Sequence, residues 1–221
     1  MTTSTELQDT QIGAAVVREL GWLPSVDSTH IQVSVTGGVV TLSGRVATYL
    51  EKVLAGKATQ RVHGVVGLAQ EIDVHTRWTA LTDADIAREC GEALQRAVDV
   101  PDSVKVAVTK KAVTLSGEVQ WQFQREAAVR TVQCLKGVTE VQNDITLRTG
   151  VVLTGLQAAI EAALVRNAQL ESHHICVSTA NPGEVTLTGK VGSWAESRQA
   201  EHACWAAPGV TAVHNQLTLH Y

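Results

Sequence analysis

Along the chain, apolar positions switch between two spacings, and the switch happens three times over. Ile12, Val16 and Leu20 fall four apart, which places them on one face of a helix. Ile86, Cys90 and Leu94 repeat that stripe, and so do Leu156, Ile160 and Leu164. Thr82 and Asp85 have the spacing of a capping box ahead of the second stripe. Pro24 and Pro101 follow the first two helices, where proline is expected. The spacing then drops to two: Ile31, Val33 and Val35 alternate with polar residues, as do Val104, Val106 and Val108. Gly37-Gly38 is a hairpin signal, with Lys110-Lys111 and the longer Asn181-Pro182-Gly183 in the same place in the later copies.

The next strand carries the clearest self-similarity. Val40-Thr41-Leu42-Ser43-Gly44-Arg45-Val46 recurs as Val113-Thr114-Leu115-Ser116-Gly117-Glu118-Val119 and as Val185-Thr186-Leu187-Thr188-Gly189-Lys190-Val191. Its valine and leucine face one way and its threonine the other. Gly44, Gly117 and Gly189 are expected to end or kink the strand, because a Cβ would block the backbone geometry or a close approach. A second helix is predicted around 49–62, 122–135 and 194–206. Gly64-Val65, Gly137-Val138 and Gly209-Val210, each glycine 20 residues beyond the strand glycine, stop it. A third strand closes each copy, marked by Leu68 with Ile72, Val141 with Ile145, and Val213 with Leu217.

Each repeat therefore reads α-β-β-α-β. The fold class is α+β: three tandem modules over 1–76, 80–149 and 153–221, each a two-layer sandwich of two helices on a three-stranded mixed sheet. The strand–helix–strand half implies a right-handed crossover. A unit of this size folds alone only marginally, so the short linkers near 76–81 and 149–155 favour modules that dock on one another.

The α-β-β-α-β order, the VTLSGxV strand and the closing GV…V-x-N-x-[IL] strand resemble the BON domain (bacterial OsmY and nodulation), over nearly the whole chain. Asn143 and Asn215 match the closing-strand asparagine, and Gln70 stands there in the first repeat. The resemblance implies a binding or structural role without shared catalytic residues. Family members occur in osmotic-stress proteins, outer-membrane lipoproteins, secretins and mechanosensitive channels. Phospholipid or membrane binding has been proposed for many, and a cytoplasmic relative joined to a LysM domain senses potassium.

Composition narrows the field. The chain has 44% hydrophobic and 18% charged residues, as folded globular chains do. A net charge of −4 without a basic block argues against nucleic acid as a partner and against purely electrostatic docking on anionic lipid. The first residues lack the basic and apolar stretches of an export signal, so the expected location is cytoplasmic, or periplasmic if a signal was removed. Cys90, Cys134, Cys176 and Cys204 form no CxxC pair, which fits small buried hydrophobes rather than a zinc ribbon or redox motif.

Few residues offer chemistry. Ser43, Ser116 and Thr188 lack the preceding glycine of a nucleophile elbow and read as turn residues at a strand end. No catalytic set, cofactor or metal is expected. Five of eight histidines fall in the third repeat, His173, His174, His202, His214 and His220, but His202 and Cys204 are two apart on a helix and face different ways. Mild acid charges that repeat most strongly. Gly64-Val65-Val66-Gly67 has the GxxG spacing of a nucleic-acid clamp but precedes a strand and lacks basic residues. Aromatic side chains are more telling. Tyr49, Trp121 and Trp194 occupy the corner between second strand and second helix, with Phe123 close by. They either lid the core or form a binding rim. Trp22, Trp78 and Trp205 have no counterparts, and Trp78, in the first linker, is placed to pack modules together.

The expected function is that of a non-enzymatic binding or scaffold protein, stress-related, engaging an unknown protein or small ligand through clefts between modules. A membrane-lipid binder and a potassium- or solute-responsive sensor are the alternatives. An exposed third strand leaves room for oligomers.

Overall fold

A computed structural model describes residues 4–78, 80–148, 155–166, 175–179, 181, 183–207 and 209–219. The first repeat runs α1 (Ser4–Gly21), a single 3-10 turn (Ser28–His30), β1 (Ile31–Thr36), β2 (Val39–Val46), α2 (Tyr49–Thr59) and β3 (Gly67–Val74). The second runs α3 (Asp83–Arg96), β4 (Lys105–Thr109), β5 (Ala112–Val119), α4 (Gln122–Gln133) and β6 (Glu140–Leu147). The third runs α5 (Leu156–Arg166), β7 (Ile175–Ser178), β8 (Glu184–Val191), α6 (Trp194–Trp205) and β9 (Ala212–Leu219). The chain divides into two compact units. One holds the first two repeats, and the other holds the third repeat together with Val119–Gln122 and Leu147.

Each repeat forms its own three-stranded sheet, with the VTL strand in the middle. In the first repeat β1 and β2 run antiparallel, with Val35 opposite Val40, while β2 and β3 run parallel, with Gly44 beside Ile72. The third repeat has the same pattern, with Gly189 beside Leu217. The sheets are therefore mixed, as the helical crossover between second and third strands requires.

The central strand explains the core. Val40 and Leu42 are fully buried, and so are Val113 with Leu115 and Val185 with Leu187. Against the first pair pack Ile12, Val16 and Leu20 of α1, Ala55 and Ala58 of α2, and Ile72 of β3. Leu156, Ile160 and Leu164 of α5 and Ala200 and Cys204 of α6 cover Val185 and Leu187 in the same way. Both helices of a repeat thus lie on one sheet face. A core leucine such as Leu42 stabilises its module by about 2–5 kcal/mol over alanine, a large share of what a unit this small can hold.

The motif glycine kinks the central strand but does not end it. Strand pairing continues to Val46 and Val191. Gly44 has φ +114° and Gly117 φ +131°, in a region side chains rarely enter. A Cβ on Gly44 would sit 2.0 Å from the His30 carbonyl oxygen, and one on Gly117 2.3 Å from that of Ser103. The reason is close backbone approach at the start of β1 and β4. Ser43, Ser116 and Thr188, read from sequence as turn residues, consequently lie inside paired strand, opposite Gln32, Lys105 and Cys176. The second helices end at Thr59, Gln133 and Trp205, one to three residues earlier than the pattern suggests. The turns after them carry Gly64, Gly137 and Gly209 at φ near +88°.

Candidate functional site

The hairpin between the first two strands has a fixture that the sequence does not announce. Gly37 and Gly38 both take positive φ, and so do Lys110 (φ 50°) and Lys111 (φ 65°). For lysine this left-handed backbone is unfavourable. One carboxylate compensates. Asp83, the first residue of α3, accepts from the backbone N–H of Lys110 at 2.8 Å and of Lys111 at 3.0 Å. In the first repeat Asp9 of α1 accepts from Gly37 and Gly38 at 2.8 and 2.9 Å. Each carboxylate pins its hairpin to the first helix. A signal existed: both acids stand three residues before the first stripe residue, where the third repeat has Leu153, outside the described residues.

The closing strand is tied to the second helix in a similar way. The Asn215 side-chain amide donates to Ser197 Oγ at 2.9 Å, and its carbonyl accepts from the Leu217 backbone N–H at 3.2 Å. Asn143 accepts from the Ile145 N–H at 3.2 Å. Gln70, one methylene longer, donates to the Lys52 carbonyl at 2.6 Å. Its side chain fits against Gly56, where a Cβ would come within 3.0 Å of its amide.

The corner aromatics do not share one environment. Tyr49 opens α2 of the first repeat, yet its hydroxyl hydrogen-bonds the Val141 backbone on β6 of the second. Burial pushes its phenol up from the ordinary value; the Val141 bond opposes this, and the nearby Glu140 charge adds to it. Tyr49 thus joins the two modules of the first unit. Trp121 is 38% exposed and Phe123 52% exposed, while Trp194 opens α6 half-buried. Trp78 anchors the first linker on the second repeat: the Lys111 ammonium donates to its carbonyl at 3.2 Å, and the Lys136 ammonium lies 5.7 Å from its ring centre. Trp205 packs on the third core and donates its indole N–H to Glu201 at 3.3 Å.

The remaining candidates separate by burial. Cys90 and Cys204 lie in the cores, where burial pushes their thiols up to about 11 and about 12, with Glu89 and Glu201 adding to it. Cys134 and Cys176 are exposed, so the reading of cysteines as buried hydrophobes fits only two of them. Val65 of the GxxG stretch is fully buried, which makes that loop part of the first core. His202 is exposed while Cys204, on the same helix, is buried. His173, His174 and His220 lie outside the described residues. Among the described residues no three of His, Cys, Asp and Glu come together as metal ligands. No described helix is long and apolar enough to cross a membrane.

Comparison with known proteins agrees with the repeat. The BON domain model matches three times, at residues 8–76, 82–149 and 153–220. Osmotically-inducible protein Y of Escherichia coli (strain K12) is 30% identical over 198 residues, covering 86% of this chain and 97% of that protein. The C-terminal domain of CdsD, the structural protein of the type III secretion system of Chlamydia trachomatis, aligns over 94% of this chain and 96% of its own, at 14% identity and a TM-score of 0.27.

Proposed function

Because this chain belongs to the BON domain family and carries the domain three times, we propose that it is a non-enzymatic binding or scaffold protein of the osmotic-stress response. It engages a protein or small ligand through surfaces formed where modules meet. The stress assignment is supported by the likeness to osmotically-inducible protein Y. The observation that carries the binding role is the Tyr49 contact with β6, which joins two modules within one compact unit and so makes surface that neither has alone. A photo-crosslinking residue in place of Glu140, the exposed β6 residue whose charge lies near Tyr49, in the full chain in its host, tests this. A discrete adduct that strengthens after an osmotic upshift is expected. Labelling no different from that of another exposed residue of the second module, Val98, contradicts it.

A lipid-facing role is the second reading, favoured by the exposure of Trp121, Phe123 and Trp22, the last 85% exposed. Sedimentation with vesicles and a blue shift in tryptophan emission support it. Unchanged emission with neutral and anionic vesicles alike removes it.

A further inference from the structure

At one end of the first module a cleft of about 360 Å³ is lined by Asp27, His30, Arg45, Glu51, His75 and Arg77. These residues come from four places in the chain. Asp27 caps the 3-10 turn that His30 ends, Arg45 lies on β2, Glu51 is in the first turn of α2, and His75 and Arg77 follow β3. His30 is where it is because Gly44 lets the strands close over its carbonyl.

The charges are unevenly engaged. Both lining carboxylates are already held. Asp27 accepts from the Thr29 backbone N–H at 3.1 Å. The Thr29 hydroxyl and N–H hold it below the usual carboxylate range, and the neighbouring charges of His30 and Arg77 lower it further. Glu51 accepts from the Thr48 hydroxyl at 2.9 Å and from the Ala47 N–H at 3.4 Å, at the start of its own helix. Neither guanidinium forms an ion pair with a carboxylate among the described residues. Asp73 lies beside Arg45 across the β2–β3 pair, outside the cleft lining.

We propose that this cleft is a site for a small divalent oxyanion, a sulfate- or phosphate-type group, held by the Arg45 and Arg77 guanidiniums with the His30 and His75 rings beside them. Guanidinium is the side chain whose planar fork matches tetrahedral oxyanions. Asp27 and Glu51 are occupied by backbone and hydroxyl donors of their own turns, so the two guanidinium forks are the cleft's donors to an anion. The N-terminal end of α2 adds its dipole in the same sense.

The array supplies its own comparison. At the positions of His30, Arg45 and His75, the second repeat has Ser103, Glu118 and Arg148, and the third has His174, Lys190 and His220. The combination of two histidines and a strand cation is absent from the second repeat and returns in the sequence of the third.

The test is a titration of the full chain with sodium sulfate against sodium chloride at equal ionic strength, followed by histidine ring NMR signals. The His30 and His75 signals should shift with sulfate and saturate, and chloride should move them far less. The paired change Arg45→Gln with Arg77→Gln should abolish saturation, with the melting midpoint nearly unchanged because both side chains are exposed. Vesicles containing phosphatidylglycerol provide the second arm. Shifts with vesicles but none with free sulfate or inorganic phosphate would overturn the assignment to a small anion. So would His30 and His75 signals that move no more than those of His202, or saturation that survives loss of both arginines.

Discussion

A single atom's worth of space decides the strand motif. With the Cβ of residue 117 placed 2.3 Å from the Ser103 carbonyl oxygen and φ at +131°, Gly117→Ala must move β4 or leave the strand strained. It should cost about 2–4 kcal/mol, read as a lowered melting midpoint. Gly91→Ala, where a Cβ meets nothing within 4 Å, is the control and should be neutral or mildly stabilising. The Asp83 clamp acts at the same scale. Asp83→Ala leaves two N–H groups without their carboxylate while Lys110 and Lys111 stay in left-handed backbone. A loss of about 1–2 kcal/mol is expected by denaturant unfolding. Lys110→Gly should recover about 0.5–1 kcal/mol by relieving that backbone.

Among the elements, what could be read from sequence was what depends on short-range period. The four-residue stripes found α1, α3 and α5, and alternation found the VTL strands, because each pattern is the imprint of a single buried face. The Asn-marked closing strand was also legible, down to the substitution by Gln70. Strand continuity through Gly44 was not, because the same glycine that suggests an end also permits a kink. The Asp9 and Asp83 clamps were missed because they act on turns far along the chain from partly exposed positions, where an aspartate is ordinarily a solvated charge. The corner aromatics were found as a set, but their common position did not foretell that Tyr49 reaches into the next module. Tyr49 gives this contact a pH signature. Its folded value is raised, chiefly by burial, so its contribution is complete below the ordinary value of 10.0 and fades as pH rises above it. Between about pH 9 and pH 11 the wild-type melting midpoint should fall further than that of Tyr49→Phe, the comparison that removes the buried thiols from the account. Equal falls would show that the phenol is not held at the junction.

For the molecule as a whole, repetition is the governing fact. Three sheets share one strand order, and those of the first and third repeats are each covered by their own helix pair. Differences between copies, such as the lysine hairpin, Gln70 and the cleft at His30, are where individual roles are expected, since the shared residues are already occupied with folding. The first two modules form one unit, so their stabilities should be coupled through Tyr49, while each core remains its own. Hydrogen exchange on the full chain, comparing Leu42→Ala, Leu115→Ala and Leu187→Ala, measures this separation directly. Protection should fall most in β2, β5 and β8 respectively, in the strand that carries the change. The same loss of protection across all three central strands in every variant would show one shared core, and would contradict the account of three.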